Sequence, residues 1–183
     1  DNLTEENIYV LDSPILTNSQ FKKFKKFFSK KVKVIDCTFD IERSLKERSE
    51  LIREEAETAV REGSTCLILS DKNISNQKAS IPSILTVGAI HSHLVKHGLR
   101  GYCSLNVECS DAMDTHSFAI LIGVGATTVN PYLAIDSIYQ RFEKKLFGKS
   151  DFETCVSKFK KSIDAGLLKI MSKMGISVIS SYR

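Results

Sequence analysis

The stretch AIHSHLVKHGLRGYCSLNVECSDAMDTHSF, residues 89–118, holds all four histidines of this 183-residue chain, two of its five cysteines, and Glu108. Imidazole, thiolate and carboxylate are the ligand set of a transition metal, so spacing decides whether they converge. On a helix each residue turns by about 100°, which puts His93 and His97 on one side and His91 nearly opposite, along the stripe of Ile84, Val87, Gly88 and Val95. Only the H-x-x-x-H pair can share an ion. Zinc hydrolases carry a glutamate general base beside the first histidine of such a pair, and here that position is Leu94. A third ligand would have to come from Glu108, Cys109 or His116. The competing expectation is that these imidazoles serve carbonyl or carboxylate partners and hold no ion.

Two carboxylates invite a parallel treatment. Asp71 and Glu108 close apolar, β-branched runs, and α/β folds place ligands at the carboxyl ends of parallel strands. The alternative is that each accepts hydrogen bonds from a helix terminus or a neighbouring loop. The glycines of GVGA (123–126) follow an apolar helix instead of a strand and lack the later glycine and acid of a dinucleotide fingerprint, so nucleotide binding there is rejected.

The elements that must position these groups alternate. NIYVL (7–11) and VKVIDCTF (32–39) read as strands, with Asp40 as N-cap of a long helix from Ile41 to Glu62 ended by Gly63. TCLILSD (65–71) is a strand and KNISNQKAS (72–80) an exposed loop. Pro82 opens a helix that runs to His97, before Gly98. SLNVEC (104–109) is a strand, THSFAILIG (115–123) a short helix and TTVNP (127–131) a strand; helices 132–147 and 151–174 and a final strand ISVISSY (176–182) follow. Such alternation predicts crossover connections and a parallel sheet, open or curved toward a barrel. One domain over 1–183 is expected. A strand running into the last residues suggests a piece of something longer.

Composition narrows the classes. With 42% apolar residues the chain can bury a sizeable core, and it has neither a run of about 20 apolar residues nor a basic-then-apolar leader. A soluble protein is expected, in the cytoplasm or an organelle. The cysteines Cys37, Cys66, Cys103, Cys109 and Cys155 form no C-x-x-C pair and read as buried thiols in a reducing compartment. Seven lysines (22, 23, 25, 26, 30, 31 and 33) crowd FKKFKKFFSKKVK, which contains no acid. Phe21, Phe24, Phe27 and Phe28 recur there at helical spacing, so an amphipathic helix with a solvated lysine face is preferred to a polyanion-binding module. No nucleic acid and no membrane are expected as partners.

Several words of the sequence, in order, resemble the large chain of glutamate synthase in the central region between its glutaminase and flavin domains. They are LDSPIL (11–16), LILSDK (67–72), IPSILTVGAIHSHLVKHGLR (81–100), VNPYLA (129–134) and the segment from GLLKIMSKMGIS to SYR (166–183). The resemblance implies a connector with a partial, rudimentary β/α-barrel-like topology of mainly parallel strands, the C-terminal part of that central domain. It implies no catalytic, cofactor or metal residue within the fragment. The parent would make glutamate from glutamine and 2-oxoglutarate, using FMN, an iron–sulfur cluster, and NADH, NADPH or ferredoxin as donor. Partners would be the glutaminase and FMN domains of the same chain, with Ser172, Lys173 and Met174 of SKMGIS contacting the latter. Where the family commonly has three consecutive histidines, Ser92 separates His91 from His93; its acid-threonine-glycine-acid turn reads Glu108-Cys109-Ser110-Asp111, its tyrosine between two glycines is Val124, and the second of a later histidine pair is Ser117. These departures leave the block a packing duty, with His93, Glu108, His116 and Asp71 as a vestigial pocket. The rival reading is a metal-dependent hydrolase built on His93, His97 and Glu108.

Overall fold

A computed structural model describes residues 9–182. Its centre is a four-stranded parallel sheet in the order β1 (Val32–Asp36), β3 (Cys66–Ser70), β5 (Ser104–Glu108), β6 (Thr128–Asn130). Beyond β6, Ile15 adds a single parallel bridge to Val129. Helices α2 (Leu45–Arg61), α3 (Ser83–Lys96) and α4 (Thr115–Gly123) fill the successive crossovers, and α5 (Tyr132–Glu143) and α6 (Phe152–Met174) follow. The strands form an open sheet, the partial α/β arrangement expected, and not a closed barrel.

Strand parity divides the core. Leu67, Leu69, Leu105 and Val107 point to one face and join the buried faces of α2, α3, α4 and α6 in the main cluster. Cys66 and Ile68 point to the other, where α1 (Asn18–Phe28) covers them with Phe21 and Phe24. Ser70, Asn106 and Glu108 share the parity of this second face, so polar groups there lie beneath a lysine-bearing helix. Phe21 and Phe24 are buried as the periodicity predicts, but Phe27 is 43% exposed and rests on Tyr9 and Phe28.

A capping box starts α1: the Gln20 amide donates to Thr17 Oγ1 at 3.3 Å, and the Thr17 amide donates to Gln20 Oε1 at 3.0 Å. Thr17→Ala removes one of these bonds and loosens the other. It is expected to lower stability by about 1 kcal/mol in urea unfolding, whereas Thr17→Ser should restore most of it.

Four sequence expectations need correction. The first strand falls partly on residues 7 and 8, outside the described residues; Tyr9, Val10 and Leu11 are not in a strand. The run at 32–39 splits, because Thr38–Asp40 turns away as β2 and pairs antiparallel with β4 (Lys78–Ser80), inside the segment read as loop. The long helix starts at Leu45, with Ser44 as N-cap. Asp40 instead accepts a hydrogen bond from the Glu42 amide at 3.0 Å, a local turn that competes with helix and leaves Ile41 exposed. Finally, ISVISSY ends in a 3₁₀ turn, Ile179–Tyr182. Its more buried residues, Ile176, Ile179 and Tyr182, recur at a spacing of three, and Tyr182 fills the gap over Gly123, where a Cβ would sit 2.8 Å from the ring.

Candidate functional site

Glu108 closes β5 on the α1 face, and two lysines from distant segments converge on it. Lys25 Nζ of α1 lies 3.2 Å from Oε1 and 3.3 Å from Oε2, Lys72 Nζ lies 3.0 Å from Oε1, and the Ser70 hydroxyl donates to Oε2 at 2.7 Å. The carboxylate side chain is 5% exposed while the ammonium groups keep contact with water. Burial alone would raise its pKa, but the Ser70 and Lys72 hydrogen bonds and the charges of Lys25 and Lys72 outweigh it and hold the carboxyl below the usual glutamate range. Both ammonium groups also lie over rings, Lys25 over Phe21 and Lys72 over Tyr132.

Asp71 begins the loop after β3 and is buried. Its amide donates to the Glu108 carbonyl at 3.2 Å, and its Oδ2 accepts from the amide and hydroxyl of Ser110 at 2.9 and 2.7 Å. Tyr132 stands close by; burial first, and then the Asp71 charge, push its phenol above the ordinary tyrosine range. The sheet end is thus filled by its own side chains. Glu108 accepts bonds from α1, β3 and the loop after it, and Asp71 Oδ2 from the Ser110 loop, while Asp71 Oδ1 is buried with no hydrogen-bond partner.

The other members of the anticipated pocket are elsewhere. His93 is on α3, across the sheet from the Glu108 side chain, and its Nε2 is 2.7 Å from Glu57 Oε2. His116 is exposed in the first turn of α4, beside Asp114. Hence His93, His116, Asp71 and Glu108 do not assemble: Glu108 faces α1 on one side of the sheet, His93 is paired with Glu57 on α3 on the other, and His116 is exposed at the start of α4. His91 accepts a bond from Arg100 Nε at 3.0 Å, a guanidinium donor in place of the expected carbonyl or carboxylate partner. Glu57 is the partner that sequence spacing could not supply: it lies 36 residues before His93 and meets it only through α2–α3 packing.

The thiols are unsuited to ligation or attack. All five are free and buried; burial pushes Cys37 up to about 12 and Cys66 up to about 11, and raises Cys109 further. The hydrolase reading therefore loses its proposed third ligands, since Glu108 is engaged on the other face, Cys109 stays protonated and His116 stands apart. Ser172, Lys173 and Met174 are exposed at the end of α6. Among the described residues no helix is long and apolar enough to cross a membrane.

Comparison with known proteins places this arrangement. The family model described as glutamate synthase central domain matches residues 1–183. The chain is 47% identical over 183 residues to the glutamate synthase [NADPH] large chain of Azospirillum brasilense, covering 98% of this chain and 12% of that protein. It is 37% identical over 188 residues to the ferredoxin-dependent glutamate synthase of Pyropia yezoensis, covering 94% of this chain and 12% of that one. With the glutamate synthase [NADH] of Schizosaccharomyces pombe it shares 36% identity over 182 residues, 94% of this chain and 9% of the relative. The chain thus spans about an eighth or less of the relatives it matches, a segment common to proteins named for three different electron donors. It belongs to the glutamate synthase central domain family.

Proposed function

We propose that this chain is a connector, the C-terminal part of a glutamate synthase central domain, non-catalytic by itself, which holds a glutaminase site and an FMN site in register for ammonia transfer. The parent makes glutamate from glutamine and 2-oxoglutarate with FMN and an iron–sulfur cluster. The observation that carries the reading is the filled carboxyl end of the parallel sheet. There, where a catalytic α/β domain would open a ligand crevice, Glu108 is saturated by Lys25, Lys72 and Ser70, and Asp71 Oδ2 is held by Ser110 while its buried Oδ1 has no hydrogen-bond partner. A closed sheet end is what a spacer needs, since its work is rigidity.

The match of one segment to NADPH-, NADH- and ferredoxin-named relatives supports a duty shared by all three and independent of the donor. Ser172, Lys173 and Met174 offer an exposed helix end with an apolar tip for contact with the FMN domain. The residues act as one domain in this reading. Titrating the chain with FMN is expected to leave flavin absorbance and fluorescence those of free FMN. Stoichiometric tight binding would overturn the connector reading.

A further inference from the structure

On the opposite face from Glu108, one carboxylate oxygen and two imidazole nitrogens from Glu57, His93 and His97 lie within 4.8 Å of one another. Helix α3 presents His93, its C-cap residue His97 follows one turn on, and α2, packed beside it, supplies the glutamate. We propose that Glu57, His93 and His97 form a binding site for one divalent transition-metal ion of the zinc class, which staples α2 to α3.

A hydrogen bond presets one donor, His97 Nε2, whereas His93 Nε2 donates to Glu57 Oε2 and gives up that proton when an ion binds. His97 Nδ1 is 2.8 Å from the His93 carbonyl oxygen, which can only accept, so the proton sits on Nδ1 and the lone pair on Nε2. That Nε2 is 3.9 Å from Glu57 Oε2, and His93 Nε2 is 2.7 Å from the same oxygen. Donors about 2.0–2.2 Å from a tetrahedral ion stand roughly 3.3 Å apart, and these two separations bracket that spacing. The other oxygen of Glu57 is clamped by Arg61, through Nε and Nη2 at 2.8 Å each, which turns Oε2 toward the imidazoles. This is the outer-shell orientation common around metal ligands, although the Arg61 charge opposes tight binding.

Two nitrogens and one oxygen suit zinc, cobalt, nickel or copper(II) and disfavour calcium and magnesium, which prefer all-oxygen shells. The partly exposed His97 leaves room for water at a fourth position. The ligands sit on α2 and α3, remote from the sheet end, and no free carboxylate base adjoins them in sequence, since Leu94 follows His93. The ion's role is therefore a cross-helix brace. Spacing alone had left the histidine pair one ligand short, and α2 supplies the missing one.

The test uses the 183-residue chain without a histidine tag, stripped with chelator and dialysed against buffered, subsaturating Zn²⁺, with zinc measured by atomic spectrometry. At that free zinc the native chain is expected to hold clearly more zinc than His97→Gln or Glu57→Gln, by a difference of less than one equivalent, each substitution weakening the site at least about tenfold. His116→Gln, which alters an exposed histidine outside the cluster, should match the native chain. His97 bonds to its own helix at the surface, so its variant keeps the fold. Zinc should also raise the thermal midpoint of the native chain and leave that of His97→Gln unmoved. Equal zinc in native, His97→Gln and Glu57→Gln chains, or an equal loss in His116→Gln, overturns the proposal.

Discussion

Glu108→Gln is expected to lower the unfolding free energy by about 2–3 kcal/mol at neutral pH, because a carboxylate that is 5% exposed loses charge-assisted bonds to two lysines at once. The Ser70 hydroxyl can still donate to the amide oxygen, and Lys25 and Lys72, 33% and 50% exposed, can turn to water. That release keeps the loss below what a stranded buried charge would inflict. By the same reasoning Lys72→Met should lose less than about 1 kcal/mol, its end being largely screened.

The pH dependence has a definite sign. The folded-state pKa of Glu108 lies below the usual glutamate range, so between the folded and unfolded values the unfolded chain binds more protons. The contribution is complete above the unfolded pKa of about 4.3 and is lost as pH falls through the lower folded value. Urea unfolding across pH should therefore show a native-minus-variant difference that is constant from pH 7 to about 5 and collapses at lower pH. A difference that persists undiminished into strong acid would mean that packing, not charge, makes Glu108 matter.

What the sequence revealed followed how local the determinants were. Cys66–Ser70 is buried at every residue and Ser104–Glu108 nearly so, which made central strands readable from composition and put Asp71 and Glu108 at their ends. Buried Ile52, Ala56, Ala59 and Val60 likewise stood out as one face of α2. What stayed hidden depended on contacts between distant segments. Lys25 finds Glu108 across 83 residues and Glu57 finds His93 across 36, and no periodicity encodes either meeting. Misread elements failed for a related reason. The Ile, Val and Tyr of 176–182 carry strand propensity, but no neighbouring strand takes them up, and docking on α4 draws Ile179 and Tyr182 into a 3₁₀ turn. Strand β2 was fused to β1 in sequence because Val32 to Phe39 reads as one run rich in β-branched and aromatic residues, and only its antiparallel partner at Lys78–Ser80 separates them.

The family words have a physical basis at the turn after α4, where Gly125→Ala is expected to cost at least about 3 kcal/mol. Gly125 has φ +127°, a conformation that side-chain-bearing residues rarely adopt and that alone costs on the order of 1–3 kcal/mol. An added Cβ would also clash with His91 Nδ1 and lie 2.7 Å from its Cγ. The ring has little freedom to retreat: Arg100 donates to Nδ1 from Nε, and its other nitrogens reach the carbonyls of Cys103 at 2.6 Å and Gly125 at 2.9 Å. His91 and Gly125 are therefore two sides of one contact, and overpacking adds to the backbone strain. Urea unfolding of Gly125→Ala, His91→Ala and the double variant separates the two effects. If the clash contributes, the double variant should be more stable than the sum of the single losses predicts, by about 1 kcal/mol or more. If backbone strain acts alone, the losses should simply add. An alanine at 125 that leaves the midpoint unchanged would refute both, and with them the view that His91 serves this turn.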